Sequence, residues 1–387
     1  MATNSAEIIE EHFENIPTGV EVESIEEEAG VAEVEIERPW NPNDIRVSTK
    51  QFSLRNILDL IDEKALDLAP DFQRNAVWKP RQKSRLIESI LLQIPLPAFY
   101  FAEDTDGMMR VVDGMQRLST VRSFVRAMPQ GFRLVDLEYL HDQEGTRFSE
   151  LPVALQRRIH NTQIVVHVID PATPSGVKYD IFKRINTGGT PLSAQEIRHC
   201  MNKDRSRQFL KRCAHAPEFD RATGGSLRDH IRMDDREVVL RYCAFWMLGV
   251  EGYADSGSMD DFLDRATRMI DDASEVPDER LADLSASFGV AMENCYLIFG
   301  DHAFRKWPQD VTRLYPINRP LFESWSYVLG GCDRDDLERR KSEIVASARE
   351  LMTSSREYND AITAGTGSVA KVRLRFRLAE EAAGAGR

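Results

Sequence analysis

The densest chemistry in this chain lies in Val111-Val-Asp-Gly-Met-Gln-Arg-Leu-Ser-Thr120. A β-branched run enters Asp-Gly, and a helical pattern follows at once. Gly114 permits a tight turn or close backbone approach by a ligand. The first turn of a helix offers free N–H groups and the positive end of its dipole, which suits an anion. Arg117 adds a planar fork for phosphate, and Gln116, Ser119 and Thr120 add polar groups. Asp113, at the strand end, could hold a metal ion, orient a water or pin Arg117. The segment is not a P-loop, because the chain has no GxxxxGK[ST]. On the residues alone, a phosphate-binding strand–turn–helix and a structural turn with an Asp–Arg pair both stand.

Two further segments carry polar groups on loops. Phe72-Gln-Arg-Asn-Ala-Val-Trp78 offers Gln73 and Arg74 beside Trp78 and Pro80, either as a rigid polar contact or as an arginine stacked on tryptophan. Phe182-Lys-Arg-Ile-Asn-Thr-Gly-Gly-Thr190 offers Lys183, Arg184 and Asn186, either as donors for a ligand or as a helix end with its glycine stop.

The elements that must position these residues read as follows. Ser53 caps a helix with Leu54, Ile57, Leu58 and Ile61 on one face. Pro80 opens a second helix lined by Leu86, Ile87, Ile90 and Leu91, and Pro95 and Pro97 stop it. Strands are expected at Ala98–Phe101, Met109–Val112, Phe132–Tyr139 and Gln163–Ile169, with a turn at Asp104–Gly107. Helices are expected at Ser119–Arg126, Leu151–Ile159 and Val177–Arg184, and Ser193 with Glu196 forms a capping box for another. Beyond about residue 205 strand signals vanish. Helical spacing runs through Arg236–Gly249, Met259–Asp272, Glu279–Phe299, Pro320–Leu329, Asp336–Met352 and Val369–Glu381. The fold class is α+β followed by an all-α region.

Composition sets the outer bounds. The 387 residues are 42% hydrophobic and 29% charged, ordinary for globular domains. Residues 1–45 hold thirteen acidic side chains against Arg38 alone, so they carry nearly all of the net charge of −13. Global acidity therefore says little against a nucleic-acid or nucleotide partner. The acidic segment reads as a solvated tail; the sharper alternative is an acidic strap competing with nucleic acid for a basic groove. Val31–Ile36 alternates and could dock as an edge strand. No apolar run is long enough to span a membrane, and the first twenty residues lack the basic residues of a secretory or mitochondrial signal. Five cysteines make no disulfide framework, which points to the reducing cytoplasm.

Taken together, Asp71-Phe-Gln-Arg74 with Trp78, Leu86–Ile90 with Ile94-Pro-Leu-Pro97, Val112–Leu118 and Ile181–Ser193 occur in one order. That set resembles the N-terminal domain of GmrSD-type restriction endonucleases. The family signature is usually Asp-Gly-Gln-Gln-Arg; here Met115 replaces the first Gln, while Asp113, Gly114, Gln116 and Arg117 match. Arg236–Tyr242, Phe299–Lys306 and Asn318–Phe322 are similar to the helical continuation of short members.

The resemblance implies a ParB/sulfiredoxin-like α+β domain at 48–203, after an acidic tail at 1–47. A helical domain at 204–380 and a frayed end at 381–387 follow. It implies a nucleotide-binding, NTP-hydrolysing sensor or regulatory subunit of a DNA-restriction or phage-defence system. Asp113 and Arg117 would be catalytic, with Mg²⁺ as cofactor. Gln73, Arg74, Gly114, Gln116, Ser119, Thr120, Lys183, Arg184 and Asn186 would contact a nucleoside triphosphate. In two-part members a separate His-Asn-His domain cuts DNA. His215, His230 and His302 are too widely spaced for one, so the chain is expected to be a stand-alone sensor or NTPase subunit, or to work with a separate nuclease protein.

Rival readings are a non-catalytic DNA-binding module and a DNase using the same turn, with Glu88 and Glu103 nearby in sequence. Basic patches at Arg81–Arg85, Arg157–Arg158, Lys203–Arg212 and Lys371–Arg377 could serve DNA or be solvated. His199, Cys200, Cys213 and His215 match no usual zinc spacing, and His160 and His167 read as structural.

Overall fold

A computed structural model describes residues 8–13, 15–23, 45–68, 78–104, 107–127, 131–173, 175–185 and 193–384. The chain divides into two compact units, Ala32–Met201 and a second made of Met1–Val31 with Asn202–Arg387.

β1 (Glu10–Phe13) and β2 (Ile16–Glu21) form an antiparallel hairpin belonging to the second unit. The five-stranded sheet of the first unit holds β3 (Val47–Ser53), β4 (Leu66–Asp67), β5 (Phe99–Glu103), β6 (Met109–Asp113) and β7 (Gln163–Ile169). Their order is β3-β7-β5-β6-β4. β3 runs antiparallel to β7 over seven residues, β5 parallel to β7, and β6 antiparallel to β5.

Helices α1 (Leu54–Asp62), α2 (Pro80–Leu91), α3 (Met115–Val125) and α4 (Val153–Asn161) share a core with this sheet. Ile57, Ile87, Leu118, Ile159, Phe101 and Val166 are among its buried side chains. Their helical and alternating spacings are what the sequence displays. Ser53 caps α1 by accepting from the Asn56 amide at 3.2 Å. Pro80 occupies the first turn of α2, where its missing N–H costs nothing. α5 (Ser175–Ile185) and α6 (Ala194–Met201) complete the unit. Ser193 and Glu196 close the expected capping box, at 3.1 Å and 2.6 Å.

Three expectations need correction. Residues 132–139 form no strand, because side chains take the amides a ladder would use. Ser84 Oγ accepts from Val135, Glu144 from Asp136 and Leu137, and Glu88 from Glu138, Tyr139 and Leu140. α3 begins at Met115, four residues before the expected Ser119, because Gly114 takes the cap position. The expected set of strands also omits β3 at Val47–Ser53, which pairs with β7 along its length.

The second unit is helical apart from its hairpin. It comprises α7 (Asp204–Ala214), α8 (Pro217–Thr223), α9 (Asp234–Ser256), α10 (Met259–Asp271), α11 (Asp278–Phe299), α12 (Arg319–Gly330), α13 (Arg334–Ser354), α14 (Arg356–Thr363) and α15 (Val369–Ala383). Its core contains Tyr242, Phe245, Phe288, Phe322, Trp325 and Phe376. The aromatic run at 242–246 is thus core, as helical spacing implies. The acidic tail is not wholly a tail. Val20 lies in this core and Glu21 is buried, so the hairpin of β1 and β2 packs on the helical unit. The strand expected at 31–36 lies outside the described residues. Among the described residues, all five cysteines are unbridged and no helix is long and apolar enough to cross a membrane.

Candidate functional site

β6 delivers Asp113 to the edge of a sharp turn. Gly114 follows with φ 96°, in the left-handed region, and caps α3. A Cβ at this position would lie 2.2 Å from Phe99 Cδ1, so sterics exclude any other residue without rearrangement. The Leu118 amide donates to Gly114 O at 2.9 Å, opening the helical ladder. The amides of Met115, Gln116 and Arg117 precede that bond and have no intrahelical acceptor. Met115 packs against the core, which accounts for an apolar residue where the family signature carries Gln.

Arg117 turns back toward the strand. Its Nη2 donates to Asp113 Oδ2 at 2.7 Å and to Ala98 O at 3.2 Å, and its Nη1 to Pro97 O at 2.5 Å. Its guanidinium sits 4.2 Å from the centroid of the Phe99 ring. Burial holds its pKa below the usual arginine value, and Asp113 opposes that shift. The fork is therefore filled from within the protein, and Arg117 is placed as the pin of Asp113. Asp113 Oδ1 has no partner among the described residues, and that side chain is 36% exposed.

Of the hydroxyls, Thr120 is buried and donates to Gln116 O at 2.7 Å, which removes it from a ligand's reach. Ser119 and Gln116 are half-buried on the first turns of α3, and their side chains make no hydrogen bond among the described residues.

The sheet aligns a polar row with Asp113. Thr49 on β3 pairs with His167 on β7, His167 with Tyr100 on β5, and Tyr100 with Asp113 on β6. Thr49 Oγ1 and His167 Nδ1 are 3.0 Å apart, and the Tyr100 and His167 rings are 4.9 Å apart. The register shifts between Tyr100 and Phe101, a bulge of the kind that re-aims a side chain. At the usual strand spacing, His167 and Asp113 are about 10 Å apart along this row. The sequence held no signal for it beyond the alternation of β7, because register across four strands is a tertiary property.

Other expected site residues are placed less fully. Gln73, Arg74 and Asn186 lie outside the described residues, as does the side chain of Lys183 on α5. Arg184 is exposed on the same helix. Glu88 is engaged by three backbone amides of 138–140, and Glu103 lies 3.8 Å from Lys50. Both are occupied away from the turn.

Several members of the basic patches are engaged within the protein. Arg85 pairs with Glu138, Arg158 donates to Leu91 O, and Arg205 pairs with Asp278. At the C-terminus Arg373 pairs with Glu251, Arg375 is buried against Glu323, and Lys371 Nζ donates to Ala364 O. Among the described residues no three His, Cys, Asp or Glu side chains gather as a metal group.

A sheet-edge carboxylate clamped by arginine, beside a glycine-capped helix start, defines the α+β domain. Residues 54–202 match the family model of the GmrSD restriction endonuclease, N-terminal domain. The match begins after β3 and runs from α1 through α6, and it points to a component of a restriction or phage-defence system, with DNA or a nuclease among its expected partners. No curated protein matches the chain.

Proposed function

We propose that the chain is a nucleotide-binding, NTP-hydrolysing sensor or regulatory subunit of a restriction or phage-defence system. One observation carries this reading. Asp113 has one oxygen clamped by Arg117 and one with no partner among the described residues, directly before the first-turn amides of α3, which have no intrahelical acceptor. The amides would receive phosphate oxygens, with Gln116 and Ser119 adding side-chain contacts. A lone carboxylate with a free oxygen fits one ligand of Mg²⁺, which ordinarily takes one or two carboxylates plus substrate phosphates. Bound there, Mg²⁺ would neutralise phosphate charge. Arg117 would act by fixing the position of Asp113, since phosphoryl transfer depends on positioning and electrostatics. Tyr100 and His167 would flank the site along the sheet, and Gln73, Arg74, Lys183, Arg184 and Asn186 would complete its wall.

The DNA-module alternative draws little support from the engaged C-terminal arginines. Calorimetry with Mg²⁺ and each of the four nucleoside triphosphates tests the reading. Arg117→Ala is expected to abolish binding in a folded chain, and retained binding would contradict the reading.

A further inference from the structure

The helical unit contains a cationic cleft that the chain's own N-terminal strand fills. β2 meets the segment before α12 in an isolated parallel bridge between Val20 and Ile317. The Glu21 amide donates to Ile317 O at 2.8 Å, and the Ile317 amide donates to Gly19 O at 2.8 Å. In extended chain, alternate side chains share a face. Glu21 and Glu23 both turn into the unit, while Val22 between them is exposed.

The two carboxylates meet separate cations. Glu21 accepts from Lys306 Nζ at 2.5 Å and from Asn318 Nδ2 at 3.1 Å. Glu23 Oε1 lies 3.1 Å from Arg241 Nη1, and Glu23 Oε2 accepts from Thr366 Oγ1 at 3.3 Å. Glu11 of β1 adds a contact to Arg319 at 3.1 Å. Burial would raise the Glu23 carboxyl's pKa, but Arg241 and Arg319 outweigh that and hold it below the usual range.

These cations differ in what the helices alone provide. Arg241 also meets Glu237 and Glu323, and Arg375 meets Glu323. Lys306 is buried, and among the described residues its one carboxylate partner is Glu21. Without the strand, the Lys306 ammonium keeps its bond to Thr363 Oγ1 at 2.7 Å and Asn318 Nδ2 its bond to Ile362 O at 2.7 Å, but among the described residues the ammonium has no carboxylate to neutralise it. β2 contributes a single hydrophobic side chain, Val20, to the unit's core. Its attachment is otherwise main-chain and ionic, the combination by which sheet edges recognise peptides.

We propose that this cleft is a receptor for an extended acidic peptide with carboxylates two residues apart, and that residues 16–23 are its resident, exchangeable occupant. A partner protein's acidic strand of that spacing is the ligand it fits. Being tethered, the resident strand competes at high effective concentration, so the cleft opens only to a ligand that matches both its hydrogen bonds and its charges.

The test uses the full chain and a fluorescent peptide of residues 8–23. The Glu21→Gln/Glu23→Gln chain, whose own strand competes weakly, is expected to bind the peptide at least ten-fold tighter than the wild-type chain does. Adding Lys306→Met, or placing Gln at both peptide positions, is expected to remove binding. Equal peptide affinity for wild type and double variant would overturn the proposal. So would displacement by a single-stranded oligonucleotide as effective as unlabelled peptide, which would make the cleft a general anion site. Hydrogen exchange on the wild type keeps the test independent of variant folding. The Glu21 amide is expected to exchange through a local opening, faster than the core amides of α12. Exchange of both only on global unfolding would make the strand a fixed part of the core and overturn the proposal.

Discussion

Arg117 Nη2 stands 2.7 Å from Asp113 Oδ2, one helical turn away across the left-handed Gly114. The same guanidinium ties down the carbonyls of Pro97 and Ala98 and covers the Phe99 ring. The motif is thus a clamp around one carboxylate rather than a set of independent ligands.

Gly114→Ala should damage that clamp through sterics alone. The left-handed backbone costs a non-glycine residue roughly 1–2 kcal/mol, and overpacking against Phe99 adds roughly 1–3 kcal/mol. A loss of about 2–5 kcal/mol in the sheet unit is expected in denaturant unfolding followed by hydrogen exchange of the β6 and β7 amides.

Arg117→Lys separates charge from geometry. Lysine keeps the positive charge but lacks the fork that spans Asp113 and two carbonyls. Activity close to that of Arg117→Ala is expected if the fork positions Asp113. Activity close to wild type would indicate that charge alone suffices.

Glu88 carries the loop that replaces the expected strand. Burial would raise its pKa, but the amides of Glu138, Leu140 and Tyr139, with Arg85, hold it below the ordinary glutamate value. A depressed carboxylate stabilises the fold above its unfolded pKa of 4.5, and the contribution fades as pH falls through the lower folded value. Glu88→Ala strands three amides, each costing roughly 1–3 kcal/mol when unsatisfied. A loss above about 3 kcal/mol at neutral pH is expected, shrinking in acid, as read from melts across pH.

Asp235 shifts in the opposite direction. Burial pushes its pKa up to about 6 from 3.8, against the pull of Arg236 and His230. The folded chain then binds a proton that the unfolded chain has released between these values, so this group erodes stability as pH rises through that window. Asp235→Asn should stabilise the helical unit by up to about 3 kcal/mol above pH 6, and by nothing below pH 4.

Much of the sheet unit was legible. The caps at Ser53 and Ser193, Pro80 at a helix start and the spacing of Leu54, Ile57, Leu58 and Ile61 are local signals, and local signals survive into structure. What was lost depends on long-range partners. Residues 132–139 alternate like a strand, yet Ser84, Glu88 and Glu144 take their amides from elsewhere in the chain. Glu21 and Glu23 look like solvated tail charges until Lys306 and Arg241, more than two hundred residues away, supply their partners. Asp113, Gly114 and Arg117 were visible as a set, with an Asp–Arg pair among the readings, but the tie of Arg117 to Pro97 O and Ala98 O was not, because those residues carry no side-chain signal for a carbonyl contact.

The most direct test of the central claim is phosphate release from ATP, GTP, CTP and UTP with Mg²⁺. It compares the wild type with Asp113→Asn and Arg117→Lys, with and without DNA. The expected result is turnover of at least one nucleotide by the wild type, falling at least a hundred-fold in both folded variants. No turnover of any nucleotide, or turnover unchanged by Asp113→Asn, would contradict a nucleotide site built on this carboxylate.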